Sequence, residues 1–387
     1  GFRSRLAESG LTLDAQWTQS AQGVVSGGRD TGWKYGGSLD LLGVLDLGTM
    51  DVLPGGFVRV RAEGRYGESV IREAGTILPV NTNLFFPVTS ELDDETIAIT
   101  ELSYTQFLSK QFGLTVGKFQ TLDGDPNEFA SGRGRSQFMN FNFVAPNLIG
   151  NAIPYSTLGA GVIILPTERI LISSLFINTA DSSTTTGFSD IGDGTTWLTE
   201  VQFQYRLGDL PGGMNVGFGY AFDNDFLNFN RSGLTGEGIR IETEDETWTL
   251  YWSTWQYLFT LDDAPDTIVA GDGRPDVRGL GLFARAGIVD EDTNVVNWSA
   301  SIGLGGRGLV PTRDEDTFGL GFVYTKFNDD QQLTQFLAED EAYGMEAYYN
   351  LALARGVELT GDIQVIEPAP RNVDTTVIAG VRLNVRF

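Results

Sequence analysis

Three groups of residues have types and spacings that could perform chemistry, and the first is a glycine motif. Gly303, Gly305 and Gly308 have the spacing of a dinucleotide-binding loop, which requires a helix to follow the glycines. Leu309-Val310-Pro311 follows instead of a helix-forming stretch. We therefore interpret the three glycines as residues of a strand that bends or packs closely against another segment.

The second group resembles the start of a calcium-binding loop. Asp123, Asp125 and Asn127 alternate as the first ligands of an EF-hand do. Glu128 stands where the turn glycine should be, and Gly134 stands where the bidentate carboxylate should be. The pattern excludes an EF-hand and leaves a looser divalent site as an alternative.

Paired carboxylates are the third group, because two acids at a suitable separation are enough for glycoside hydrolysis. The chain has 51 acidic residues among 387, so two acids come close by chance and no pair is singled out. Histidine and cysteine are absent, which excludes Ser-His-Asp and Cys-His catalysis, histidine zinc sites and disulfides. We predict that the protein is not an enzyme; the alternative is a carboxylate-pair hydrolase.

The charge balance restricts the partners of the chain. With 26 basic and 51 acidic residues the net charge is −25, which repels phosphate backbones, so we predict no nucleic-acid partner. Many acids form short clusters between apolar segments: Asp93–Glu95, Glu244–Glu246, Asp290–Asp292, Asp314–Asp316 and Glu339–Glu341. We interpret the clusters as solubilising loop residues and predict no cofactor. The alternative is loose binding of a divalent cation to these acidic loops.

The elements that position these residues are predicted to be strands. The chain has 49 glycines, 25 phenylalanines, 12 tyrosines and 7 tryptophans, which favours strands, turns and aromatic girdles over packed helices. Apolar and polar residues alternate with period two in Trp197–Leu207, Met214–Phe222, Val357–Val365 and Val377–Phe387. No stretch approaches the roughly 18 apolar residues of a membrane-spanning helix. The sequence shows no signal peptide at Gly1, and we expect the numbered chain to be the processed form.

About sixteen such segments can be counted, and an even number is typical of closed antiparallel barrels of the outer membrane. They are centred near residues 15, 41, 62, 102, 116, 161, 173, 202, 218, 251, 284, 300, 321, 348, 361 and 382. The last segment ends on Phe387, the form expected of a barrel-closing strand. We predict an all-β protein, a transmembrane antiparallel β-barrel of sixteen strands, formed by a single domain over residues 1–387.

The lengths of the connections indicate which end of the barrel faces outward. If the chain starts and ends in the periplasm, the connections after odd-numbered segments should be the long extracellular ones. Residues 67–95, 120–156, 178–196 and 224–246 fit this expectation, whereas 258–278 and 305–316 are longer than the rule predicts.

Several blocks of the sequence resemble those of the OprB family of carbohydrate-selective porins. The resemblance begins at Gly117-Lys118-Phe119, Asn127–Ala130, Gly132–Asn140 and Pro154-Tyr155-Ser156, and it continues in Gly281–Gly287, Pro311–Gly319 and Val381–Phe387. It covers the chain from about residue 100 to the end. The resemblance implies a sixteen-stranded outer-membrane barrel through which monosaccharides and similar small neutral solutes diffuse passively, without a cofactor. It leaves open whether the barrel is a monomer or a homotrimer in contact with outer-membrane lipid and lipopolysaccharide.

A sixteen-stranded barrel is wide enough for an aqueous channel unless a segment folds into it. We predict that residues 120–156 fold into the lumen as a constriction loop. Arginine, amide and aromatic side chains can replace the hydration of a polyol while stacking against its ring. The loop residues predicted to line the pore are Glu128, Arg133, Arg135, Asn140 and Tyr155.

The wall opposite this loop is predicted to carry a charged ladder. Arg59, Arg61, Glu63 and Arg65 alternate with apolar or small residues and must face the lumen, because each charge facing lipid would cost about 2–4 kcal/mol near the midplane. Together with Glu200 and Arg206, these residues carry charges of both signs. We expect them to produce an electric field across the pore, which orients water and solute dipoles, rather than a filter that selects ions of one sign.

Three other functions remain as alternatives. The net charge of −25 favours a general or cation-preferring porin. A hydrolase within an outer-membrane barrel would use a carboxylate pair. A structural or adhesive barrel would bind divalent cations or lipopolysaccharide through its acidic loops and would conduct little.

Overall fold

The structure is a computed structural model. It describes residues 2–85, 97–122, 126–145, 150–235, 238–265, 275, 277–329 and 337–387.

Sixteen antiparallel strands form one closed barrel in which each strand pairs with its neighbours in sequence order. The barrel strands are β1 (Leu11–Gly28), β2 (Gly32–Asp46), β3 (Gly56–Gly67), β4 (Ile97–Ser109), β5 (Phe112–Gln120), β6 (Ser156–Thr167), β7 (Ile170–Asn178), β8 (Thr195–Leu207), β9 (Leu210–Phe222), β14 (Thr247–Thr260), β15 (Gly279–Val289), β16 (Val296–Arg307), β17 (Thr317–Phe327), β18 (Glu341–Ala354), β19 (Val357–Glu367) and β20 (Asp374–Arg386). Pairing of β1 with β20 closes the barrel. The prediction of sixteen strands is confirmed, and every predicted segment centre lies within a different barrel strand.

The remaining elements are short. Two small hairpins lie between β9 and β14: β10 (Phe226–Leu227) pairs with β13 (Thr243–Glu244), and β11 (Gly233–Thr235) pairs with β12 (Gly238–Arg240). The helices are α1 (Phe2–Glu8), α2 (Ile71–Ala74) and α3 (Phe141–Val144), with single 3-10 turns at Thr82–Leu84, Gly132–Gly134 and Phe188–Asp190. None of the helices within the described ranges has the length and apolar character needed to cross a membrane.

The connections differ in length between the two ends of the barrel. At one end lie residues 68–96, 121–155, 179–194 and 223–246. At the other end, strands are joined by two residues at 110–111, 168–169, 208–209 and 355–356. Three connections at this end are longer: 261–278 and 308–316, which the sequence indicates as exceptions, and 47–55, which it does not. On the long-loop side, residues 29–31, 290–295 and 368–373 are shorter than the simple rule predicts.

The barrel wall has apolar residues outside and polar residues inside. On β3, Val60 is 37% exposed, whereas Glu63 is 1% exposed and Arg65 is 6% exposed. On β20, Val381 is 48% exposed, whereas Arg382 is completely buried. Because side chains alternate between the two faces of a strand, the outer surface of the barrel is apolar, as expected of a surface that faces lipid.

Aromatic side chains mark the outer surface near the long-loop end. The register places Trp197, Tyr220 and Trp248 side by side on β8, β9 and β14. Further round the barrel, the rings of Trp298 and Tyr324 lie 5.0 Å apart between their centroids. Such a girdle is typical of the membrane interface, where amphipathic rings contact both lipid tails and headgroups.

The largest apolar cluster joins the connection between β5 and β6, residues 121–155, to the wall; we call this connection the β5–β6 loop. Phe129, Phe138 and Phe143 from the loop pack with Phe283 and Tyr348 from β15 and β18. Glycines on the wall allow this close approach. A Cβ atom at Gly305 would lie 2.6 Å from the Cβ atom of Phe129, and one at Gly319 would lie 2.7 Å from Cζ of Phe138. Close packing is therefore the reason for glycine at these wall positions.

Candidate functional site

A cluster of four arginines and two acids joins the β5–β6 loop to strands β2 and β3. Arg61, Glu63 and Arg65 share one face of β3, and the register pairs Glu63 with Asp40 on β2. Arg133 and Arg135 extend from the loop to meet them. We call these six residues the arginine cluster: Asp40, Arg61, Glu63, Arg65, Arg133 and Arg135.

Glu63 is the centre of the cluster. Its Oε1 atom accepts hydrogen bonds from Arg133 at 2.8 Å, from Arg135 at 3.1 Å and from Arg65 at 3.3 Å. Its Oε2 atom accepts from the hydroxyl groups of Tyr155 at 2.7 Å and Thr100 at 2.6 Å. One buried carboxylate thus fixes two loop arginines and a loop tyrosine against the wall.

Asp40 is the second acidic partner. Its Oδ2 atom accepts from Arg135 at 2.6 Å and lies 3.5 Å from Arg133, and its Oδ1 atom lies 3.9 Å from Nε of Arg61. The guanidinium of Arg133 lies over the Tyr155 ring, 5.5 Å from the ring centroid, and also donates to the Tyr155 hydroxyl. The buried Tyr155 ring therefore packs against the charged groups of the cluster.

The backbone of the loop explains how two arginines reach the same carboxylates. Gly132, Arg133 and Gly134 have φ angles of 78°, 54° and 74°, so three successive residues adopt the left-handed region. Glycine adopts it without strain, whereas Arg133 does so at a cost that its contacts offset. The turn directs Arg133 and Arg135 towards Glu63.

Arg135 remains charged although it is buried. Burial acts to lower the pKa of its guanidinium, but the neighbouring carboxylates of Asp40 and Glu63 outweigh this effect, and the pKa is raised. The Arg135 guanidinium therefore stays a charged donor to Asn83, Asp40 and Glu63.

The opposite wall holds the same loop through its backbone. The Glu346 carboxylate on β18 accepts from the backbone N–H groups of Met139 and Asn140, the latter at 2.9 Å. Arg382 on β20 donates to the carbonyl oxygens of Gly134 and Gln137, both at 2.7 Å. The loop is thus bound both to β2–β3 and to β18–β20.

Cavities lie on both sides of the arginine cluster. One of about 460 Å³ is lined by Phe141, Tyr155 and Leu122, and one of about 360 Å³ is lined by Leu122, Arg61 and Arg133. The second shares Arg386 with a cavity of about 310 Å³, which shares Arg386, Glu315 and Glu358 with one of about 980 Å³ near the short-turn end. The four cavities are therefore neighbours in a row, because each shares at least one lining residue with the next.

The residues predicted to line the pore fall into two groups. Arg61, Glu63, Arg65, Arg133, Arg135 and Tyr155 come together in or against the arginine cluster. Arg59 lies beside it and pairs with Glu101 at 2.9 Å.

The other four predicted residues lie elsewhere. Glu128 accepts from the Tyr257 hydroxyl at 3.0 Å, and Asn140 begins α3 and contacts Gln364 at 3.2 Å. Glu200 accepts from the Tyr251 hydroxyl at 2.8 Å on the β8–β14 wall. Arg206 donates to the carbonyl oxygen of Pro265 at 2.5 Å, beside a short turn.

Sequence reasoning did not select Asp40, Glu346 or Arg382. Each is a charged residue between apolar neighbours within an alternating strand, and this signal could have identified all three.

Of the acidic calcium-like motif, Asp123 and Asp125 lie outside the described residues. The Asn127 side chain accepts from the backbone of Phe129 and donates to the Thr254 carbonyl at 3.0 Å, so it folds the loop onto β14. Within the described ranges, no three acidic residues gather to hold a metal ion.

Comparison with known proteins identifies the family. The profile described as "Carbohydrate-selective porin, OprB family" matches residues 30–387. The chain belongs to the OprB family. Its barrel is therefore a multi-pass protein of the bacterial outer membrane, and the resemblance seen in the sequence is confirmed.

Relatives of this OprB-family chain agree with the assignment. Porin B of Pseudomonas aeruginosa is 26% identical over 239 residues, which are 54% of this chain and only 50% of that protein. The high-pH structure of Pseudomonas putida OprB aligns with a TM-score of 0.83 at 20% identity, over 100% of this chain and 96% of that one. The low-pH structure of the same protein gives a TM-score of 0.59 at 13% identity over the same shares. These similarities establish the fold.

Proposed function

We propose that this chain is a passive diffusion channel of the outer membrane that favours monosaccharides and similar small neutral solutes. The observation that carries the proposal is the position of the arginine cluster, where the β5–β6 loop meets β2 and β3 between two neighbouring cavities that share Leu122. We infer that the loop narrows the lumen there and acts as the constriction loop. Solutes would pass from the cavity near Tyr155 to the cavity beside Arg61.

The chemistry of this constriction suits a sugar. Guanidinium groups donate hydrogen bonds that replace the hydration of ring hydroxyls, and Tyr155 lines the neighbouring cavity with its ring stacked against Arg133. Glu63 and Asp40 occupy part of the donor capacity, so a solute is held weakly enough to leave. A family description of carbohydrate selectivity supports this class of solute.

The local charges do not favour a cation-preferring porin, despite the net charge of −25. The described cluster has four guanidinium groups and two carboxylates. Asp123 and Asp125 lie outside the described residues and are not part of this balance. We therefore expect the reversal potential in a salt gradient to show no cation preference, whereas a strong cation preference would support the general porin.

We propose further that the channel needs no cofactor and performs no hydrolysis. Its surroundings would be outer-membrane lipid and lipopolysaccharide, with the barrel present as a monomer or homotrimer. If purified protein released product from a panel of chromogenic glycosides, the hydrolase alternative would replace this proposal. An adhesive barrel would instead conduct little.

Liposome swelling with the purified protein tests the sugar preference. Entry of glucose should be faster than entry of a neutral polyol and an amino acid of matched size. The double variant Arg133→Ala, Arg135→Ala should reduce this difference, while the matched control Arg206→Ala at a short turn should preserve it. Equal entry rates for all solutes with the wild-type protein would indicate a general porin without a sugar preference.

A further inference from the structure

The inner wall of the barrel changes from charged to apolar directly beside Arg59. Phe57 lies on the same face of β3, two residues closer to the short-turn end. Its ring makes an edge contact with Phe107 on β4, with 6.1 Å between the ring centroids. Phe107 is an inward residue because it alternates with Leu108, which is 64% exposed on the outside.

Glycines extend this apolar surface across β5 and β6. A Cβ atom at Gly113 would lie 3.1 Å from the Phe107 ring, and one at Gly161 would lie 2.5 Å from Cδ2 of Leu175. The register pairs Gly113 with Ile163 and Gly161 with Leu175, which places these residues on the same inner face. We call the half-buried side chains of Phe57, Phe107, Ile163 and Leu175 the apolar floor.

The sequence of this wall differs from that of its neighbours. Strand β6 has no charged side chain, and β7 has neither a charge nor an amide before Asn178. Period-two alternation fails at Val162–Leu165 and Ile170–Ile172, where both faces are apolar. Inward positions elsewhere carry groups such as Gln202 and Asp362.

The β5–β6 loop docks on other strands. The contacts described for residues 126–145 reach β2 and β3 at the arginine cluster and continue round the wall from β14 to β20. The apolar floor lies on the part of β3 nearest the short-turn end and on β4, β6 and β7. It therefore faces the lumen beside Arg59 without belonging to the packed base of the loop.

We propose that the apolar floor binds the nonpolar part of a permeating solute, so that the channel favours glycosides with an aryl group over fully hydroxylated solutes of the same size. The inference rests on the proposed diffusion function. Side chains two residues apart on a strand are separated by about 7 Å, which suits two linked rings, one at Arg59 and one at Phe57. When an aromatic ring of the solute contacts the floor, apolar surface of both the solute and the protein is removed from water, which favours binding.

Phenyl β-glucoside and cellobiose provide a matched pair of probes. Both are β-glucosides, and they differ in whether the second ring is apolar or hydroxylated. We expect faster liposome swelling with phenyl β-glucoside after subtraction of entry into protein-free liposomes. Phe107→Asn, which removes the ring in contact with Phe57, should lower the ratio of the two rates about threefold, the effect of losing roughly 25 Å² of apolar contact.

Ser173→Asn is the control, because it adds the same amide at an inward position of β7, four strands away from β3, without removing an apolar side chain. The ratio of the two entry rates should be the same for this control as for the wild-type protein. Phe57→Leu, which keeps an apolar side chain but removes the ring, is a second variant and should also lower the ratio. Heat-modified migration on a gel verifies that each barrel is folded.

The outcomes separate this inference from the function on which it rests. Equal wild-type rates for the two probes, or a ratio unchanged in both folded floor variants, would overturn the role of the floor. If glucose entered no faster than a matched polyol, the proposed sugar preference would be refuted. Faster entry of phenyl β-glucoside than of cellobiose would still support binding of an aryl group by the apolar floor.

Discussion

Replacing Glu63 by glutamine should loosen the β5–β6 loop without unfolding the barrel. The substitution keeps the shape of the side chain but removes the charge that holds Arg65, Arg133 and Arg135 within 3.3 Å. Breaking a buried ion pair from one side costs about 3–5 kcal/mol. The lower figure applies here, because Asp40 still contacts both loop arginines.

A cost of about 3 kcal/mol corresponds to roughly a hundredfold rise in the population of displaced arginine conformations. The contacts of Glu346 and Arg382 retain the rest of the loop, so the change is local. Single-channel recording in planar bilayers should therefore show larger current fluctuations for Glu63→Gln. The ratio of glucose entry to polyol entry should fall towards one.

Glu101→Gln is the matched control for this experiment. Glu101 is also a buried wall carboxylate, but among its described contacts it holds one arginine, Arg59, at 2.9 Å. Its variant should resemble the wild-type protein in current noise and in solute ratio. If Glu63→Gln behaved like Glu101→Gln in both measurements, the assignment of Glu63 as the anchor of the constriction would be refuted.

Three further predictions concern the wall, the membrane face and pH. Gly319→Leu should displace Phe138 from its docking position at a cost of about 1–3 kcal/mol, which increased proteolysis of the β5–β6 loop would reveal; unchanged proteolysis would contradict this packing. Val60→Arg should lower the free energy of unfolding in lipid vesicles by about 2–4 kcal/mol, and no change in a urea titration would show that Val60 does not face lipid. Hydrogen bonds from Arg278 lower the pKa of Asp262 to about 2. This ion pair should therefore stabilise the 261–278 connection fully above about pH 4, the pKa range of an unfolded aspartate, and its effect should be lost as the pH falls through 2. At pH 4 pepsin should cleave that connection more slowly in the wild-type protein than in Asp262→Asn, and the two rates should converge at pH 2; equal rates at pH 4 would contradict the role of this ion pair.

The barrel could be predicted from the sequence because its signal is local. A strand that separates lipid from water must alternate its side chains, and Val381, Arg382 and Leu383 show this within three residues. The hairpin of β6 and β7 was counted correctly although its alternation fails, because its length and turn residues still indicate strands.

The arginine cluster was predicted only in part. Charges on β3 could be assigned to the inner face from Arg59 to Arg65. Their partners could not be assigned, because Asp40 and Arg135 are separated by 95 residues and meet only after the barrel closes. The contact between Glu346 and Asn140 spans 206 residues and uses a backbone N–H group, which no side-chain pattern encodes.

The attachment of the β5–β6 loop to β18 and β20 has a consequence for how such channels diversify. Glu346 and Arg382 bind backbone amides and carbonyls, groups that every residue except proline provides in full. Side chains of the loop can therefore be substituted while its backbone stays hydrogen-bonded to the wall. A barrel built in this way can acquire a new permeant through substitutions at its narrowest point, with little change to the frame that holds that point in place.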